Sequence, residues 1–194
     1  MNKYVAIDVE SGGIGPEADL LTAYFGICDE NFNLIEEHTV KLRPDSEDDF
    51  FHISAKALQI NKINLVEHFT VAKPKKEAAT ELYNFLNVNT TFIEGRRTRL
   101  IPIGHNVAWD IRKISEKLIN KITLDQFIEY RTLDTGTVGQ FLITAGIIPK
   151  DVSASLGGLV KHYGLEFQGE AHTERADALA CVDVMKKMIE QVKK

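Results

Sequence analysis

Lys3-Tyr4-Val5-Ala6-Ile7-Asp8-Val9-Glu10 combines a β-strand pattern with two acids on one side. Residues 4–10 have the short apolar run of a β-strand. Side chains alternate along a strand, so Val5, Ile7 and Val9 share one face while Ala6, Asp8 and Glu10 share the other. Asp and Glu are poor strand residues and costly to bury unpaired. Two of them on one side, at the end of an apolar strand, call for a compensating positive charge, and a divalent metal is the natural partner. The competing reading is an exposed strand end carrying two solvated acids.

Working outward, residues 19–28 and 33–42 read as two more strands separated by the turn-like Asp29-Glu30-Asn31, so a three-strand meander opens the chain. Residues 44–65 form a long surface excursion with an acidic cluster (Asp45, Glu47, Asp48, Asp49) and a short helix over 55–60 capped by Ser54. Apolar spacing predicts a helix over 75–86, entered through Pro74. Residues 100–104 read as a buried strand, followed by Asn106 as a cap and a helix through Ile111, Ile114 and Leu118. A last short strand is expected over 130–133. Helices follow over 135–145 and 156–163, the second stopped by Gly164, and a final one runs from about 173 to 192. This order predicts an α/β sandwich: a mixed five-stranded sheet with helices on both faces.

The 194 residues, 44% of them hydrophobic, suffice for one well-cored domain over 1–194, and no repeat or linker divides them. Collagenous, disordered and coiled-coil chains are excluded. No apolar run approaches the roughly 20 residues of a membrane-spanning helix and no signal-peptide pattern is present, so the expectation is a soluble cytoplasmic protein with no membrane association. Cys28 and Cys181 are too few for a disulfide framework and read as buried free thiols. A net charge of −5 argues against general electrostatic attraction for nucleic acid. It does not exclude a metal-dependent nuclease, since neutralising four carboxylates would bring the charge to about −1.

Two further carboxylates stand where polar side chains need a reason. Asp110, in His105-Asn106-Val107-Ala108-Trp109-Asp110, lies in the first turns of a helix, at the edge of the stripe made by Ile111, Ile114 and Leu118; there an acid is also simply favourable with the helix dipole. Asp177 begins the inward stripe continued by Cys181, Val184, Met188 and Val192, a position where a core residue is expected. His172 sits five residues earlier, in the loop before the helix, with Thr173 as its cap. Together these are four carboxylates at strand and helix ends of one sheet and a histidine able to take a proton near neutral pH. Two ions about 3.5–4 Å apart need such an oxygen-rich cage, and phosphodiester hydrolysis is a chemistry they perform.

Asp8-Val9-Glu10, His105-Asn106-x-x-Trp109-Asp110 and His172-x-x-x-x-Asp177 resemble the three motifs of the DEDDh 3'-to-5' exonucleases, with their DnaQ-like and ribonuclease T-like branches. The resemblance spans the chain from Lys3 to about Met188. It implies a ribonuclease H-like fold and a two-metal mechanism with Mg²⁺ or Mn²⁺. Asp8 would bridge both ions, Glu10 and Asp177 would hold the ion carrying the attacking water, and Asp110 would support the second. His172 would be the general base, and 5'-mononucleotides would leave single-stranded DNA or RNA 3' ends one at a time. The family's Asp-x-Glu-Thr-Thr-Gly is here Asp8-Val9-Glu10-Ser11-Gly12-Gly13, which keeps one hydroxyl for the terminal nucleotide at Ser11 and loses one at Gly12. Trp109 stands where Phe is usual. His105, Asn106 and Trp109 are expected beside the substrate, as is His52, since residues 57–63 resemble a ribonuclease T stretch. Arg96, Arg97 and Arg99, with Lys73, Lys75 and Lys76, read as a solvated basic face. Asp134 reads as a helix cap. An independent enzyme, with a homodimer as candidate assembly, is the preferred reading. A ribonuclease H-type endonuclease and a catalytically silent module binding nucleic acid or a polymerase are the alternatives.

Overall fold

The computed structural model describes residues 3–46, 49–169 and 173–193. Three strands open the chain: β1 (Tyr4–Ser11), β2 (Leu20–Cys28) and β3 (Leu34–Arg43). Next come α1 (Ala55–Asn61), α2 (Leu65–Val71), the two-residue strand β4 (Lys73–Pro74) and α3 (Lys75–Asn89). A small hairpin, β5 (Phe92–Ile93) and β6 (Arg96–Arg97), precedes β7 (Ile101–Gly104) and α4 (Val107–Lys117). The remainder is α5 (Lys121–Leu124), β8 (Leu133–Asp134), α6 (Thr135–Thr144), α7 (Leu156–His162) and α8 (Glu174–Val192).

The main sheet has the order β4-β3-β2-β1-β7-β8. The meander β1-β2-β3 is antiparallel, whereas β7 pairs parallel to β1, and β8 parallel to β7. The mixed α/β sandwich expected from the order of elements is therefore what forms, with six strands rather than five. The additional strand is β4, which pairs parallel with the end of β3; two residues are too few to carry any periodicity. Every residue of β2 is buried, Thr22 included, as befits a central strand covered on both faces.

The alternation in β1 sorts its side chains as expected. Val5, Ile7 and Val9 pack with Leu82 and Leu86 of α3 and with Val107 and Ile114 of α4. On the opposite face Ala6 joins Ala178, Cys181 and Met185 of α8. A third cluster, including Leu142, Leu159 and Val184, ties α6 and α7 to the outer side of α8. Phe25 is core and Phe51 packs against it, while Phe50 is exposed. Both cysteines are buried free thiols. Among the described residues no helix is long and apolar enough to cross a membrane.

Candidate functional site

Asp8, Glu10, Asp110 and Asp177 line one recess of about 470 Å³ at the carboxyl end of β1, together with His105, Asn106 and Trp109. Each arrives there for a local reason. Asp8 and Glu10 occupy the face of β1 opposite the aliphatic core, and the register slip between Glu10 and Ser11 turns the chain away immediately afterwards. Asp110 lies in the first turn of α4 and accepts backbone hydrogen bonds from Val9 and from its own N–H. Asp177 lies in the first turn of α8, whose cap Thr173 accepts from the Ala176 N–H at 3.3 Å. His172 lies outside the described residues.

Crowding acids into a half-dry recess makes Asp8, Glu10 and Asp110 hold their protons more tightly. Burial, then the charges of Asp110, Glu10 and Asp177, push Asp8 well above the usual carboxylate range. Glu10 is raised to about 8, by burial first and then by Glu174 and Asp177. Burial likewise raises Asp110 to about 8 against the pull of its backbone donors. Glu174, in the first turn of α8, is thus a fifth acid of the cluster. Sequence reasoning missed it because an acid in a first helical turn already has a sufficient local explanation.

The donor set suits hard divalent cations: four carboxylates whose unneutralised charge is the dominant local feature. Among the described residues, no three His, Cys, Asp or Glu side chains are gathered closely enough to hold an ion as they stand.

The remaining candidates separate into those at the recess and those beside it. His105 is held by Thr135, whose hydroxyl lies 3.0 Å from Nδ1 and donates to the Gly104 carbonyl at 3.1 Å; burial lowers the pKa of the imidazole. Asn106 occupies the position before α4 in the left-handed conformation, φ 59°, and makes no side-chain cap. The cap role is taken from across the sheet: Asp134 accepts from Val107 N at 3.0 Å and from Thr137 N at 2.8 Å, so one carboxylate anchors the starts of both α4 and α6. Ser11 spends its hydroxyl on the Gly13 carbonyl at 2.7 Å. Gly12 is buried and clamped by backbone bonds to Asp19 and Ser54, and a Cβ there would stand 2.2 Å from the His52 carbonyl oxygen. Gly12 and His52 line a neighbouring hollow instead of the carboxylate recess.

Two supports of the site had no obvious signal. Lys113 is fully buried and donates to the carbonyls of Gly15 and Ala18, while Lys117 reaches Glu17 O at 3.0 Å and Asp19 Oδ1 at 3.1 Å. These bonds strap the loop after β1 to α4. Its tip, Ile14, is 87% exposed and lines the recess with Ile60 and Trp109. At the other wall Arg175 makes a two-pronged pair with Glu37, at 2.9 and 3.2 Å, and Tyr24 donates to the same carboxylate at 2.7 Å. That network docks the start of α8, and with it Asp177, onto β2 and β3.

The layered mixed-sheet fold is one that solved exonucleases share. The E. coli exonuclease I structure in complex with a dT13 oligonucleotide superposes with a TM-score of 0.71 at 17% identity, covering 100% of this chain and 42% of that one. Exonuclease I from Methylocaldum szegediense gives 0.70 at 17%, again covering 100% and 42%. A product-bound exonuclease I gives 0.65 at 17%, covering 98% and 43%. The chain therefore spans about two-fifths of the length of the exonucleases it matches, and the likeness is one of fold. No protein-family model and no curated protein sequence matches it.

Proposed function

We propose that residues 1–194 act as one metal-dependent 3'-to-5' exonuclease unit that releases 5'-mononucleotides from single-stranded DNA or RNA ends. The observation that carries this reading is the convergence of Asp8, Glu10, Asp110 and Asp177, from three separate elements, on one recess where their charges oppose one another. In this reading those four side chains hold two divalent ions, Mg²⁺ or Mn²⁺. When bound, such a pair activates water and neutralises charge at the scissile phosphate. His172 takes the proton of the attacking water as its oxygen bonds to phosphorus and the 3'-oxygen leaves. Trp109, Ile14 and Ile60 give the terminal base an apolar wall, and Asn106 and His105 stand at its polar side. Exonuclease I structures with single-stranded oligonucleotides support the choice of substrate class. The protein works on its own or as a homodimer.

The test is a set of single variants assayed with excess Mg²⁺ on a labelled oligonucleotide. Asp177→Asn and His172→Ala should each lower degradation by about 10²-fold or more. Degradation within a few-fold of wild type in either would remove the assigned role. A protein that binds strands yet cleaves none under any divalent ion would instead be the silent binding module.

A further inference from the structure

A wide hollow lies away from the carboxylates. It measures about 700 Å³ and is lined by Lys3, Arg97, Arg99 and Arg131, with Glu129 as its one acid. Its floor is the amino-terminal ends of the parallel strands: Lys3 precedes β1, Leu100 precedes β7 and Thr132 precedes β8. The acidic recess is at the other end of β1, roughly 20 Å away for a strand of this length. In a chain of net charge −5, three excess positive charges around one cavity run against the overall balance.

The four cations are not equivalent. Arg97 is committed to structure: it donates to Thr90 at 2.7 Å and to Asn87 at 2.9 Å, and lies 4.7 Å from the ring centres of Phe92 and Phe127. It props up the β5-β6 hairpin. Lys3, Arg99 and Arg131 make no ion pair and no side-chain hydrogen bond among the described residues, which leaves their charge for a ligand. Two exposed aromatic rings flank the cavity in sequence, Phe92 at 64% and Tyr130 at 73% exposure, each with an arginine over it: Arg97 on the first, Arg131 at 4.4 Å on the second. Neither ring lines the cavity itself, but each adjoins lining residues in the chain, and cations with exposed rings at their margin match the chemistry of unpaired nucleotides, whose phosphates seek charge and whose bases seek flat apolar faces.

We propose that this pocket is a second contact site for single-stranded nucleic acid, taking backbone phosphates on Lys3, Arg99 and Arg131 and bases on Phe92 and Tyr130. The acidic recess repels a strand until its cations are bound, so a basic site on a separate face can hold the strand independently of them.

The experiment is a fluorescence-anisotropy titration of a labelled single strand of about 12 nucleotides, in EDTA, across a salt series. Because chelator removes hydrolysis from the readout, failure of this site is distinguishable from failure of the exonuclease reading. Arg99→Glu with Arg131→Glu should weaken binding by at least about 10-fold and make the salt slope shallower by about 1.4, from two contacts at about 0.7 each. Arg99→Lys with Arg131→Lys should retain the slope. Phe92→Ala and Tyr130→Ala should each cost about 5-fold or more. Thermal unfolding checks each variant, and Arg99→Gln with Arg131→Gln replaces the reversal if that does not fold. Unchanged affinity and slope in a folded variant would overturn the proposal. So would a free 5'-mononucleotide that binds as tightly as the strand and is lost on reversal, which would make this a nucleotide pocket.

Discussion

Asp110 shows at the scale of one residue what the site costs the fold. Burial raises its pKa to about 8, and the same holds for Glu10 beside it. A group whose folded pKa lies above its ordinary value favours the folded state when protonated. That contribution is complete below the ordinary carboxylate range and is lost as pH rises through about 8. Metal-free protein should therefore gain thermal stability as pH falls from about 8 toward 5, and saturating Mg²⁺ should flatten the trend; melting curves in EDTA and in Mg²⁺ check this, and a metal-free midpoint that falls over the same range would contradict it. Asp110→Asn should remove one opposed charge, raising metal-free stability by roughly 1 kcal/mol while abolishing Mg²⁺-dependent hydrolysis. A midpoint that drops would show that the hydrogen bonds to Asp110 outweigh the repulsion. Asp8, Glu10 and Asp177 were legible in the sequence because each interrupts an apolar pattern that has no other use for a charge. Glu174 and Lys113 were not, since one suits a helix start and the other owes its burial to carbonyls of a loop about 95 positions away in the chain.

Among elements, α4 organises the site, because it carries Trp109 and Asp110, straps the loop after β1 through Lys113 and starts on Asp134. Lys113→Met keeps the stem but leaves the Gly15 and Ala18 carbonyls without their donor, at about 1–3 kcal/mol. If the strap positions Ile14 for substrate, KM should rise more than kcat falls, and Lys113→Arg should restore part of it; an unaltered KM would make the lysine purely structural. Asp134→Ala should cost about 1–2 kcal/mol in denaturant unfolding because two helix starts lose one acceptor, and a loss below a few tenths would contradict that anchoring. The elements legible in the sequence were the long ones with a clear period, from β1 to α8. What escaped were short pieces defined by partners: β4, α2 and α5 had no recognisable run of their own. The last strand, expected over 130–133, pairs only at Leu133–Asp134, since Ile128 has already made an isolated bridge to Leu100. Asn106 looked like a cap from its position and type, but the actual acceptor, Asp134, is distant in sequence and reaches it only through the β7-β8 pairing.

At the scale of the molecule, two features of opposite sign occupy opposite ends of one sheet: the acidic recess, lined by Asp8, Glu10, Asp110 and Asp177, and a basic hollow, lined by Lys3, Arg97, Arg99 and Arg131. Divalent ions that bind only the folded recess should raise the melting midpoint, by about 2–4 °C for each kcal/mol of binding free energy, and neutralising Asp8 and Asp110 together should erase that rise. A midpoint equally raised by Mg²⁺ in the double variant would place the ions elsewhere. Hydrolysis from the 3' end is checked by a time course on matched 5'-labelled single-stranded DNA and RNA oligomers, with Mg²⁺ or EDTA. The expected result is a Mg²⁺-dependent ladder shortening one nucleotide at a time from the 3' end, abolished by EDTA and by a 3'-terminal block. Intact oligomers with every divalent ion tried, or internal cuts that ignore the block, would contradict it.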